Sequence, residues 1–196
     1  MDRQDLKELH YITPIANVPS ILEQGLLSHN RVQGIVHESV AMPEIQDRRR
    51  WKKVPNARPL HDYVNLYFHA HNPMLYTLKG EHESLCVLQI SPDVLDLPGV
   101  VITDGNAACR YTQFYKSPDG LQYVDGKTVF ADSWIARSEK AQLVRKRIKC
   151  AEGLVPDHVE SRYIVGAYVV SKAARQVLEN TGFILPIKVD AKFFFR

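Results

Sequence analysis

Glu152 and Arg49 are the residues of this chain whose types and surroundings most suggest chemistry. Glu152 stands between Cys150-Ala151 and Gly153-Leu154-Val155, a carboxylate inside an apolar segment. A carboxylate removed from water without a partner is costly. It therefore pairs with a cation or meets a ligand, and the segment alone leaves both open. Arg49 lies in the run Arg48-Arg49-Arg50-Trp51-Lys52-Lys53 and is the natural functional cation, because a guanidinium is the best donor for carboxylate or phosphate. A third concentration of polar groups closes the stretch Leu60-His61-Asp62-Tyr63-Val64-Asn65-Leu66-Tyr67-Phe68-His69-Ala70-His71-Asn72-Pro73-Met74-Leu75-Tyr76. Val64 to Phe68 has the β-branched and aromatic content of a buried strand. Its end gathers His69, His71 and Asn72, and strand ends of that kind are where mixed α and β domains put binding groups.

Other chemistries find little support. The eight histidines are scattered apart from the His69 and His71 pair. No His-Glu-x-x-His or paired Cys-x-x-Cys spacing accompanies them, so no metal is expected. No Gly-x-Ser-x-Gly elbow offers a serine nucleophile. No glycine-rich loop of the dinucleotide or P-loop kind is present, so a nucleotide has to be held otherwise.

The elements that must position these residues are legible in outline. A strand over Leu9 to Ile12 leads into a helix over Val18 to Gln24, with Asn17 as N-cap and Gly25 as stop. Met42 to Lys53 reads as a charged helix, and Asn72-Pro73 as the start of a short one. Ser84 to Ile90 and Val100 to Thr103 read as strands, with a helical turn opening at Ser91-Pro92-Asp93. From Asp104 to Asp132 turn signals dominate, and loops this long are usually functional. A basic helix over Ser138 to Ile148 precedes the Glu152 segment. Strands over Tyr163 to Val170 and Phe183 to Val189 flank a helix from Ser171 to Glu179. Without regular alternation of strand and helix, the pattern is α+β.

Composition bounds the rest. The 196 residues fit a single domain, 1–196, with 45% hydrophobic and 24% charged residues. No apolar run is long enough to span a membrane, the N-terminus lacks a secretory layout, and Cys86, Cys109 and Cys150 suit reduced thiols. A cytoplasmic protein is expected. The net charge of +3 is clumped at Arg48 to Lys53 and at Lys140 to Lys149, which favours a polyanionic ligand.

Four motifs in one order, Tyr11-Ile12-Thr13 with Asn17 through Gly25-Leu26-Leu27, Ile45-Gln46-Asp47-Arg48-Arg49, Leu60-His61-Asp62-Tyr63-Val64 through Asn72-Pro73-Met74-Leu75-Tyr76, and Ala151-Glu152-Gly153-Leu154-Val155, resemble the DarT family of DNA ADP-ribosyltransferase toxins. The resemblance covers nearly the whole chain. It implies an ADP-ribosyltransferase fold with a split β-sheet, NAD as co-substrate, and transfer of ADP-ribose to a base in single-stranded DNA. The catalytic glutamate falls on Glu152 and the catalytic arginine on Arg49. NAD contacts are implied at Tyr11, Ile12, Thr13, Ser20, Leu27 and Arg49, with Tyr67 and Tyr76 as aromatic faces. On the DNA side we assign His71, Asn72, Asn106, Arg110, Tyr111, Tyr115, Arg145 and Arg147, the tyrosines as stacking platforms and the arginines for phosphates. A DarG-type antitoxin, whose macrodomain removes the modification, is the implied partner.

The chain also departs from the family. Tyr11, preceded by His10, stands where thymine-modifying members have a histidine. His71-Asn72 replaces a usual Arg-Ser pair, and Asp104-Gly105-Asn106-Ala107-Ala108 differs as well. These departures leave the acceptor base open and resemble a branch associated with guanine modification. Two alternatives stand beside this reading: the same fold acting on RNA or protein, and a non-catalytic nucleic-acid-binding module in which Glu152 is a structural ion pair.

Overall fold

The computed structural model describes residues 1–195. In chain order the strands and helices are β1 (Leu9–Pro14), α1 (Val18–Gln24), β2 (Leu26–Leu27), α2 (Pro43–Trp51), β3 (Tyr63–Tyr67), α3 (Pro73–Thr77), β4 (Leu85–Ile90), β5 (Val101–Thr103), β6 (Phe114–Lys116), α4 (Gly126–Val129), α5 (Glu139–Lys149), β7 (Glu152–Pro156), β8 (His158–Val159), β9 (Ile164–Val169), α6 (Lys172–Glu179) and β10 (Ile187–Val189). Eight of the strands form one sheet in the order β10-β9-β4-β1-β3-β7-β5-β6, and β2 pairs with β8. All neighbours in the large sheet are antiparallel except β9 and β10.

The sheet divides at its middle. β1 pairs with β4 along its full length, from Leu9↔Ile90 to Pro14↔Leu85. β3 pairs likewise with β7, from Tyr63↔Pro156 to Tyr67↔Glu152. Between β1 and β3 the register holds only at His10↔Tyr67. Past that point the strands diverge, and a cleft opens with backbone on both sides. This is the split sheet expected of an ADP-ribosyltransferase. The core is continuous across it, since Leu9, Ile12, Leu66, Phe68, Leu88, Ile90, Val155 and Val169 belong to one buried cluster. Among the described residues no helix is long and apolar enough to cross a membrane.

Several local expectations change. Asn17 sits at the head of α1, but its side chain caps nothing. It donates instead to Thr13 Oγ1 (3.3 Å) and exchanges two bonds with the Glu38 backbone (2.8 and 2.9 Å). Gly25 does end the helix, at φ +76°, where an added Cβ would lie 2.3 Å from the Val159 carbonyl. The segment from Asp104 to Asp132 is not loop throughout. It contains β6, a 3-10 turn over Asp119–Tyr123 and α4. These pieces are too short to carry a periodic signal, and they are held by the β5 pairing and a Tyr115–Tyr123 ring stack at 4.3 Å. The late strand begins at Ile187 and not at Phe183, and Phe183 is buried in the core outside the ladder.

Candidate active site

Glu152 opens β7 opposite Tyr67, and its side chain is 1% exposed. Oε2 meets Arg49 Nη1 at 3.0 Å, and the arginine side chain is only 7% exposed. Oε1 accepts the backbone N–H of Ala107 at 2.8 Å. The Glu152 N–H donates to Thr103 Oγ1 (3.0 Å), and that hydroxyl donates to the Gly105 carbonyl (2.7 Å). Carboxylate and backbone are thus both fixed by groups outside β7. The turn that presents Ala107 is itself pinned, because Arg147 pairs with Asp104 at 2.7 Å and its carbonyl takes the Asn106 N–H at 2.9 Å. Gly105 permits that approach, since an added Cβ there would lie 2.9 Å from the Arg147 carbonyl.

The pair forms one wall of a cavity of about 160 Å³ inside the cleft of the sheet. Tyr11, Ile12 and Thr13 of β1 line it on one side, and Val64, Asn65 and Tyr67 of β3 on the other. Gln46 and Arg49, one helical turn apart on α2, face it together. The segment following β2 runs across it with His29, Val32 and His37 to Met42, held down at Glu38 by Asn17. Three buried polar atoms of lining residues have no hydrogen-bond partner: Arg49 Nη2, Gln46 Oε1 and His61 Nε2. Buried polar groups are normally satisfied, so a guanidinium donor, an amide oxygen and an imidazole nitrogen without partners, all on residues lining one cavity, match a polar ligand bearing anionic oxygens and hydroxyls.

Electrostatics follow from burial. The Tyr67 phenol is pushed well above its ordinary range, chiefly by burial and then by the Glu152 charge, and burial raises Tyr11 too. Both stay protonated donors. His29 and His61 are pushed down by burial and by neighbouring positive charge, including Arg49 and Arg50. Two imidazoles that resist protonation therefore flank the arginine.

The residues singled out in the sequence divide clearly. Arg49, Glu152, Tyr11, Ile12, Thr13, Leu27, Tyr67 and Asn106 line the cavity. Ser20 does not, and its hydroxyl meets Gln24 Nε2 at 3.4 Å on α1. Tyr76 lies elsewhere, edge-on to Trp134 (5.5 Å) and Phe195 (5.3 Å). His71 stacks on Phe195 at 3.8 Å, with both ring nitrogens near the carbonyls of Phe193 and Asp132. Asn72 is 0% exposed. Its amide oxygen caps α3 through the N–H groups of Met74 and Leu75, and its amide nitrogen donates to the His69 carbonyl. Buried and engaged as a helix cap, the Asn72 side chain presents no surface for the DNA contact expected of it. Arg147 is likewise occupied by Asp104, and Lys149 is buried with Nζ donating to the carbonyls of Val129 and Ala131. Arg110, Tyr111 and Arg145 are exposed, Arg110 lying over the Tyr111 ring at 4.7 Å. Tyr115 is half-buried against Tyr123.

Asn17, Gln46, His61, Thr103 and Ala107 enter the site without having been singled out for it. Gln46 and His61 sit inside quoted motifs, and their signal was present. Ala107 contributes only a backbone N–H, which no reading of side-chain type can find. Among the described residues no cluster of His, Cys, Asp or Glu is arranged to hold a metal ion.

Residues 10–195 match the family model described as "ssDNA thymidine ADP-ribosyltransferase, DarT". A DNA ADP-ribosyl transferase–DNA ADP-ribosyl glycohydrolase fusion protein of Thermosipho africanus is 33% identical over 96% of this chain, which spans 50% of the fusion's length. A DNA ADP-ribosyl transferase of Thermus sp. is 32% identical over 64% of this chain, covering 66% of that protein. In structure, the Thermosipho DarTG complex with ADP-ribose superposes with a TM-score of 0.82 over 96% of this chain and 51% of that one. A Thermus sp. 2.9 DarT complex with ADP-ribosylated ssDNA gives 0.81 at 26% identity, covering 96% of each chain.

Proposed function

This chain belongs to the DarT family, and from that membership we propose that it transfers ADP-ribose from NAD to a base of single-stranded DNA. The observation that carries the reading is the buried Arg49–Glu152 pair on the wall of the sheet's cleft, beside unpartnered polar atoms. The Thermosipho relative was solved with ADP-ribose and the Thermus relative with ADP-ribosylated ssDNA, which supports the same chemistry here.

The residues present suit that ligand. Bound NAD would supply the ribose–nicotinamide bond, whose breakage develops an oxocarbenium-like sugar. Glu152 accepts a ribose hydroxyl and sets its negative charge against the developing positive one. Ala107 N–H and Arg49 Nη1 aim the carboxylate beforehand, so little reorganisation is needed. Arg49 Nη2 remains as a donor toward the diphosphate or the acceptor base. Tyr67, registered opposite Glu152, offers an aromatic face to nicotinamide. Arg110, Tyr111 and Tyr115 meet the strand that carries the acceptor.

We place the protein in the cytoplasm as the toxin of a toxin–antitoxin pair, its antitoxin a DarG-type macrodomain that reverses the modification. The free thiols Cys86, Cys109 and Cys150 support the compartment. The fusion of transferase to DNA ADP-ribosyl glycohydrolase in the Thermosipho relative supports the partner. The test is incubation with NAD and four homopolymer oligonucleotides, followed by mass spectrometry of the nucleosides. One nucleoside gains ADP-ribose with the wild type, and Glu152→Gln forms the same product far more slowly. Which nucleoside shifts decides between thymine and guanine. Labelling of RNA or protein in place of DNA would overturn the substrate assignment.

A further inference from the structure

Asn65 is out of place in its own strand. Tyr63, Val64, Leu66 and Tyr67 are strand-forming residues, and asparagine is a type depleted in strands. Val64 and Leu66 belong to the buried core, whereas Asn65 and Tyr67 are half-buried and line the cavity. We infer that the Asn65 amide recognises the carboxamide of the nicotinamide leaving group, an assignment that rests on the ADP-ribosyl-transfer reading of the same cavity.

The Asn65 side chain is free to do this. The amides of Asn17, Asn30, Asn72 and Asn106 are engaged inside the fold. That of Asn65 has no hydrogen-bond partner among the described residues, and it sits on the cavity wall without being sealed away.

Register places the amide. Tyr67 lies opposite Glu152 and Asn65 opposite Leu154, so Asn65 is diagonal to Glu152 on the same face of the sheet. Two residues along a strand span about 7 Å, so a ring lying on Tyr67 brings its edge to Asn65. The acceptor side lies elsewhere. In the order β1-β3-β7-β5 the cleft opens between β1 and β3, and Asn65 stands on that side of Glu152. The Ala107 turn, with exposed Arg110 and Tyr111, follows β5 on the other side. A cleft that holds NAD therefore sets Asn65 beside the dinucleotide and not beside the DNA strand.

Chemistry selects the part of NAD. Diphosphate oxygens only accept, and a ribose hydroxyl is already matched to Glu152. The nicotinamide carboxamide is neutral and planar, donating through its NH2 and accepting through its carbonyl, and an asparagine amide offers the complementary pair. Adenine has a comparable edge, but it lies at the far end of the dinucleotide from the bond next to Glu152.

The test is calorimetric titration of wild type, Asn65→Leu and Asn65→Ala with carba-NAD and with ADP-ribose. Asn65→Leu keeps the approximate size and removes both hydrogen-bonding groups, so carba-NAD binds about tenfold more weakly. ADP-ribose, which has no nicotinamide, binds as it does to wild type, and that also shows the variant to be folded. Asn65→Ala gives the same split without added apolar bulk. In turnover, wild type has a lower KM for NAD than for the analogue with an acetyl group in place of the carboxamide. Both variants lose that preference and keep the wild-type KM for the oligonucleotide. Native affinity for carba-NAD in both variants, or an equal loss on ADP-ribose, overturns the assignment alone. A raised KM for the oligonucleotide with carba-NAD binding intact also overturns it, and would put Asn65 on the acceptor base. A wild type that binds neither carba-NAD nor ADP-ribose overturns the transfer reading and the assignment together.

Discussion

Arg49 and Glu152 come from positions 103 residues apart and meet at 3.0 Å with both side chains buried. Removing one member of such a pair strands the other as a buried charge, at a typical cost of about 3–5 kcal/mol. Glu152→Gln should therefore lower both activity and stability, with kcat reduced about 10²–10³-fold. Urea melts of Glu152→Gln and the Arg49→Met/Glu152→Met double variant check the stability claim. The double variant should be the more stable of the two, since it leaves no uncompensated charge.

Thr103 holds Glu152 by its backbone. Thr103→Val keeps the shape but leaves the Glu152 N–H and the Gly105 carbonyl without this hydroxyl. The expected cost is about 1–3 kcal/mol, with kcat falling more than the KM for NAD. Thr103→Ser should restore both. A valine variant with native kcat would show that Ala107 and Arg49 suffice.

Asn17 fastens the segment over the cleft through two bonds to the Glu38 backbone. The cavity of about 160 Å³ is smaller than the roughly 300–1,000 Å³ usual for ligand pockets, so this segment has to yield for a dinucleotide to enter. Asn17→Ala should raise the KM for NAD and speed proteolysis between residues 28 and 42. Unchanged proteolysis would refute the latch.

Acid should weaken the fold in two stages. His69 is held down to about 3, first by burial and then by His10, Lys149 and His71. Its unfolded form binds protons that the folded form refuses, so stability falls as pH drops from about 6.5 toward 3. Burial alone would raise Glu8, but bonds from His10, Tyr168 and Gln89 and the charge of His10 hold it at about 2. Its contribution is present above the ordinary carboxylate value and is lost between about 4.5 and 2. Melting temperatures from pH 8 to 3 should show the first loss vanish in His69→Phe and the second in Glu8→Gln.

An exposed arginine and one engaged in an internal ion pair should behave differently toward DNA. Arg110→Ala should weaken oligonucleotide binding and lower the salt slope by about one. Arg147→Met breaks the Asp104 pair and should reduce thermal stability, reaching activity only through the Ala107 turn. Binding isotherms at several salt concentrations, with melts alongside, separate the two.

The sequence by itself determined most element positions, the α+β class, and the residue types of the catalytic candidates. Apolar patterning reports which part of a local segment is buried, and α1, β3, β4 and β9 each carry enough of it, whereas α2 is legible only as a charged helix and its one buried residue is Arg49. The sequence also marked Glu152 as a carboxylate needing a partner. Tertiary structure decided that the partner is Arg49, that Ala107 supplies an N–H, and that the cleft opens where β1 and β3 part after His10↔Tyr67. It also turned Asn72 from a DNA contact into a helix cap and Arg147 into an internal ion pair. Strand register and the divergence of paired strands arise from contacts between distant segments, and a side chain's type does not say whether its polar atoms are spent inside the fold or left for a ligand.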